Sequence, residues 1–224
     1  MLILNLISII YFPIIMKYSQ AAKIYATVTA IVVWFSILLQ FVVSLKQAHY
    51  HYIETLKIFL SFFTVTTNII VASCFMVISI FPKGKIRDFF RRAATITAIT
   101  VYIIVVGLIY NFLLRGLVLQ EGWSRVADEL LHVVSPLLML IFWIFFVDKS
   151  RLRYRSATHW LIYPLAYIVF VIVRGLLINE YPYPFINVVN IGYPKAILNA
   201  FFCVVLFWLL SLLLIWIGKR KNKL

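Results

Sequence analysis

The segment DELLHVVSP sets two carboxylates, Asp128 and Glu129, within four residues of an imidazole, His132. On a helix these positions share a side, because residues three and four apart stack one above the other. A carboxylate placed there orients the imidazole tautomer and stabilises its protonated form, as a general base requires. The competing reading is local: acids favour a helix N-terminus, with Asp128 as the cap and His132 at a lipid interface. A second cluster, SFFTVTTNII, gathers Ser61, Thr64, Thr66, Thr67 and Asn68, with Thr64 and Asn68 one turn apart on one face. Its plain reading is that hydroxyls bond their own helix or bridge to a neighbour. Arg174, Asn199 and the aromatic stretch YPYPF (Tyr181 to Phe185) complete the set. Prolines 182 and 184 fix an extended backbone there, so YPYPF also reads as a rigid interfacial cap.

These residues have to be positioned by something other than a soluble core. Of 224 residues, 64% are hydrophobic and 12% charged, whereas soluble domains are nearer half apolar and about a quarter charged. A mean hydropathy of +1.02 over this length exceeds what one small domain can hide from water. Six apolar runs are each near the length that crosses a bilayer as a helix. They cover about Ile24 to Leu45, Ile58 to Phe81, Ala93 to Leu114, Leu130 to Val147, Trp160 to Ile178 and Ala196 to Ile217. The expected fold is therefore an all-α membrane protein, a polytopic bundle of about six transmembrane helices. With no internal repeat or linker, residues 17–224 read as a single domain. Residues 1–16, MLILNLISIIYFPIIM, form an apolar leader that is short for a span and carries Pro13. A seventh span, an interfacial helix and an upstream start are its three readings.

Charge gives the orientation. Lys17 and Lys23, the loops holding Lys83 to Arg92 and Lys149 to Arg155, and the tail from Lys219 carry 15 of the Lys and Arg residues, against 6 on the other side. The positive-inside rule then places both termini in the cytoplasm of a cell-membrane protein. The net charge of +14 lies between apolar runs, so it points to anionic membrane lipid and not to nucleic acid. Cys74 and Cys203 fall inside apolar stretches, and the four His are scattered. No metal spacing and no nucleotide-binding glycine loop is present, so no metal or organic cofactor is expected.

In this topology the second and fourth helices start on the same, outer side. Counted at about 1.5 Å per residue from Ile58 and Leu130, Thr64 lies about 9 Å deep and His132 about 3 Å deep, so the two could meet.

The blocks FFTVTTN, LLHVVSP, WLIYPLAY and YPYPFINV together resemble the bacterial six-span membrane proteins of the Pr-six-Pr family, which are similar to the animal androgen-induced membrane proteins. The resemblance covers roughly residues 20–217. Animal members hydrolyse fatty acid esters of hydroxy fatty acids and depend on an intramembrane threonine and histidine. Carried over by motif, the histidine is His132 and the threonine is Thr64, with Thr66 and Thr67 as neighbours that compete for the role. The resemblance thus implies a lipid ester substrate and acyl transfer, with Thr64 as nucleophile, His132 as base and Asp128 or Glu129 orienting the imidazole. Asn68, Arg174 and Asn199 are the candidate substrate-binding groups at that depth, the first two as donors to an oxyanion. The rival class is a non-catalytic protein, a small transporter or structural component, whose buried polar groups only pair helices.

Overall fold

The computed structural model describes residues 18–220; the leader 1–16 lies outside them. Among the described residues, six helices are long and apolar enough to cross a membrane: α1 (Gln20–Gln47), α2 (Phe63–Ile80), α3 (Ala93–Leu114), α4 (Gly122–Phe146), α5 (Arg155–Ile178) and α6 (Val188–Arg220). No β-sheet occurs among these residues, and the chain is a multi-pass membrane protein.

Side-chain size, more than polarity, decides which face of α1 is buried. Ala22, Ala26, Ala30, Val33 and Ile37 recur every three or four residues and are buried, while Ile24, Val28, Ile31, Phe35 and Leu38 are exposed. Lipid is as apolar as leucine, so association rests on close van der Waals packing, and small residues let α1 approach its neighbour. That neighbour is α2, along which α1 makes the most extensive helix pairing of the fold. Ser19 caps α1, its hydroxyl accepting from the Ala22 N–H at 3.2 Å.

The bundle is centred on α2 and α3, of whose apolar windows 61% is buried, against 17% for α5 and 22% for α6. Phe75, Ile78, Ile103, Phe142 and Trp143 fill the middle.

The second expected span is broken in the structure. Phe62 takes an extended conformation (φ −81°, ψ 129°) that separates a short helix, Tyr52–Ser61, from α2. Thr64 therefore sits in the first turn of α2 and not about two turns in. Helix α4 starts earlier than its apolar run, because the polar turn Gly122–Glu129 is helical too, and His132 lies ten residues along it. Gly192, at φ 77° and ψ 159°, kinks α6 two residues before Pro194, so the straight part of that helix begins close to the expected Ala196.

Candidate active site

The start of α2, the end of α3 and the first half of α4 surround a cleft of about 580 Å³, into which Thr64, Tyr110, Asp128, His132 and Tyr183 all face. Two of its walls are irregular. Helix α3 widens into a π turn at Tyr110–Leu114 and α4 into another at Leu130–Val134. Such turns are rare and gather at functional sites. In α4 a cause can be read from the residues. Pro136 has no N–H to return to the preceding turn, and the Ser135 N–H reaches back five residues to the Leu130 carbonyl. The nearby Leu131 and His132 carbonyls accept the side-chain amides of Asn68 and Asn111, each at 3.4 Å. Gly107 makes the approach of α3 possible, since a Cβ there would stand 3.1 Å from the His132 carbonyl oxygen and 3.2 Å from Pro136.

The π turn of α4 presents His132 to Asp128. Its Nδ1 lies 3.0 Å from the Asp128 carboxylate and 2.9 Å from the Asp128 carbonyl oxygen. Two acceptors at Nδ1 assign the proton of the neutral ring to that nitrogen, which leaves the Nε2 lone pair free to take a proton. No protein partner occupies Nε2 among the described residues. Tyr110 stacks on the imidazole with centroids 3.8 Å apart and planes 16° from parallel, and its hydroxyl donates to the other Asp128 oxygen. Ring orientation and carboxylate orientation are therefore both fixed from α3.

Of the two carboxylates left open by the sequence, Asp128 is the one at the imidazole. Glu129 turns to the Arg115 guanidinium, in a two-pronged pair of 2.5 and 2.9 Å. Arg115 also donates from Nε to Asn111 at 2.9 Å and lies over the Tyr110 ring at 5.2 Å.

The three threonines separate as clearly. The Thr66 hydroxyl meets the Tyr163 hydroxyl at 2.9 Å and the Phe62 and Phe63 carbonyls. Thr67, fully buried, meets Tyr163 at 3.2 Å. Thr64 alone faces the cleft. Its N–H, one of the donors left over at a helix start, goes to the Tyr183 hydroxyl at 3.2 Å, and its own hydroxyl is 3.4 Å from the same atom. Thr64 and His132 share the cleft without a hydrogen bond between them.

Tyr183 reaches α2 because its loop is held at both ends. Gly175 leaves room for Tyr181, whose ring a Cβ at that position would meet at 2.1 Å. At the other end Asn199 donates to the Phe185 carbonyl at 2.7 Å, and Tyr183 stacks on Phe185 with centroids 5.4 Å apart. Burial pushes the Tyr183 phenol above its ordinary pKa, so it is a neutral hydroxyl donor.

The remaining sequence candidates lie beside the cleft. Asn68 is fully buried and ties α2 to α4, donating to the Thr64 carbonyl at 2.8 Å and to Leu131. Arg174 faces a separate groove with Glu54 and Lys57, where it pairs with Glu180 at 2.5 Å. Asn199 supports the loop and does not line the cleft. Tyr110 and Arg115 belong to no motif in the sequence, and Tyr183 reads there only as part of an interfacial cap. A tyrosine at the end of an apolar run looks like an interface anchor, so only the stacking geometry distinguishes Tyr110.

No group of three or more His, Cys, Asp or Glu residues among the described residues could hold a metal ion. The chain matches no family model, no curated protein and no solved structure.

Proposed function

We propose that the chain is a membrane-embedded hydrolase of amphiphilic carboxylic esters. The observation that carries this reading is an imidazole held by a carboxylate on Nδ1, with Nε2 unoccupied, in the same cleft as a threonine hydroxyl. The motif resemblance to the Pr-six-Pr family supports the same pair. Thr64 Oγ1 attacks the ester carbonyl carbon while His132 Nε2 removes its proton. The carbonyl π electrons move to oxygen, and the Tyr183 O–H, whose oxygen lies 3.4 Å from Thr64 Oγ1, donates to that oxyanion. Collapse breaks the bond to the alkoxy group, which leaves as the alcohol with the proton from His132. Water then attacks the acyl-threonine with His132 again as base, releasing the acid and restoring the hydroxyl. Asp128 orients the ring and stabilises the imidazolium, and Tyr110 positions both.

The charge asymmetry supports an outer location for the cleft, opposite the basic loops, with both termini in the cytoplasm. A site at that level lets an ester keep its tail in the bilayer while water reaches the bond to be cut. Fluorogenic esters offered to the purified protein in mixed micelles test the activity. Hydrolysis by the wild type that disappears in Thr64→Ala is the expected result. A wild type that cleaves no ester across acetyl to hexadecanoyl rejects the proposal in favour of a non-catalytic helix bundle.

A further inference from the structure

A second, almost wholly apolar cavity lies behind Thr64, between α3, α5 and α6. Val105, Ile109, Pro164, Ile168, Cys203 and Phe207 are among its walls, and it shares Thr64, Tyr110, Leu114 and Tyr183 with the polar cleft. Thr64 therefore stands on the partition between two unequal spaces, a cleft of about 580 Å³ on one side and a pocket of about 60 Å³ on the other. A cavity of roughly 150 Å³ holds a benzene ring. The smaller pocket takes less than half of that, which corresponds to roughly two to four carbons in a chain.

We propose that this pocket is the acyl site, and that the preferred substrates are short-acyl esters, acetyl to butanoyl, of a large amphiphilic alcohol that occupies the cleft. The inference rests on Thr64 as the nucleophile. An ester bound at Thr64 points its two substituents away from the reacting carbon in different directions, and the two spaces meeting there differ about tenfold in volume. The alcohol, which has to leave, takes the wide and partly polar side, from which water also enters. The acyl group, which stays on Thr64 until water releases it, takes the narrower apolar side, where burial of each CH₂ favours it as far as the walls reach. This departs from the long acyl chains that the family resemblance implies.

The test is a series of 4-nitrophenyl esters from acetyl to hexadecanoyl at equal mole fraction in mixed micelles. Wild type is expected to favour butanoyl over hexadecanoyl by at least tenfold in kcat/KM. One methylene too many in an apolar pocket is worth roughly 10- to 200-fold, so Ala200→Leu, on the pocket wall, is expected to lower the butanoyl to acetyl ratio about tenfold. Ile168→Ala is expected to raise hexanoyl relative to butanoyl. Hexadecanoyl cleaved as well as butanoyl, with ratios indifferent to both variants, would overturn the acyl assignment and leave the hydrolase reading standing.

A readout independent of turnover uses Cys203, the cysteine on the pocket wall. N-octylbutanamide is expected to slow its alkylation by N-ethylmaleimide at least fivefold, while N-octylhexadecanamide has no effect. No protection by either amide, or equal protection by both, would reject the pocket as a short-chain site even if no ester is hydrolysed.

Discussion

The two ends of the bundle both bury polar groups, but they satisfy them differently. At the end rich in Lys and Arg, cations stop at backbone carbonyls and aromatic rings. Arg91 is buried and donates to the Ile78 carbonyl at 2.8 Å. Lys149 donates to the carbonyls of Ile144 and Val147 and lies 4.8 Å from the Trp143 ring centroid, while Lys219 and Arg220 lie over Tyr154 and Trp216. Nearby, the Ser150 N–H, 2.9 Å from the Asp148 carboxylate, holds that group below its usual range. These contacts close helix C-termini, where unpaired carbonyls and the helix dipole both favour cations. At the opposite end the polar groups meet one another across helices, and several keep a face open to the cleft. Burial of a polar group is therefore not by itself a mark of function. What sets the second end apart is that one imidazole and one hydroxyl-bearing side chain line the same space.

Substitutions at the two ends should therefore separate activity from stability. The largest effect is expected for Thr64→Ala and His132→Ala, each lowering kcat/KM at least about 10³-fold, or about 4 kcal/mol. The double variant should be no worse, because parts of one catalytic unit are not additive. Tyr183→Phe removes one oxyanion donor, for which a loss of about 10²-fold in kcat is expected; an unchanged kcat would return the phenol to a purely structural role.

Two stability variants then divide the ends. Gly107→Ala forces α3 away from the π turn of α4, so a cost of about 1–3 kcal/mol should come with a fall in rate. Arg91→Met leaves the Ile78 carbonyl without its donor, at a similar cost of about 1–3 kcal/mol, yet kcat should hold. Thermal melts in detergent run beside ester assays check both, and loss of activity in a folded Arg91→Met protein would blur the distinction. The smallest effect is expected for Arg174→Gln, whose ion pair with the exposed Glu180 is worth about 0–1 kcal/mol and lies outside the cleft. A change in rate beyond about twofold would bring that groove into the site.

The six spans and their approximate limits were legible from apolar run length alone, since bilayer thickness leaves the chain few choices. Helix starts were less so. The polar turn Gly122–Glu129 has no hydropathy signal, and the break at Phe62 depends on α5, where the Tyr167 hydroxyl donates to the Ser61 carbonyl and accepts from the Phe63 N–H. The Asp128–His132 spacing was readable because it is local. The choice of Asp128 over Glu129 depends on Arg115 and Tyr110 from α3, and the choice among the threonines depends on Tyr163 from α5. Both are contacts between residues distant in sequence, and hydropathy carries no record of them. Arg174 looked like a site residue because depth was the only coordinate available, and depth does not tell which way a side chain leaves its helix.

In the proposed mechanism the Thr64 hydroxyl is a nucleophile activated by His132. The most direct test of this is mass spectrometry of the purified protein after reaction with a fluorophosphonate, which modifies activated hydroxyls. A single phosphonyl adduct is expected on the peptide containing Thr64, lost in His132→Ala and retained in Arg91→Met. An adduct on Thr66 or Thr67 would move the nucleophile, and labelling of Thr64 that persists at full rate in His132→Ala would rule out activation by His132.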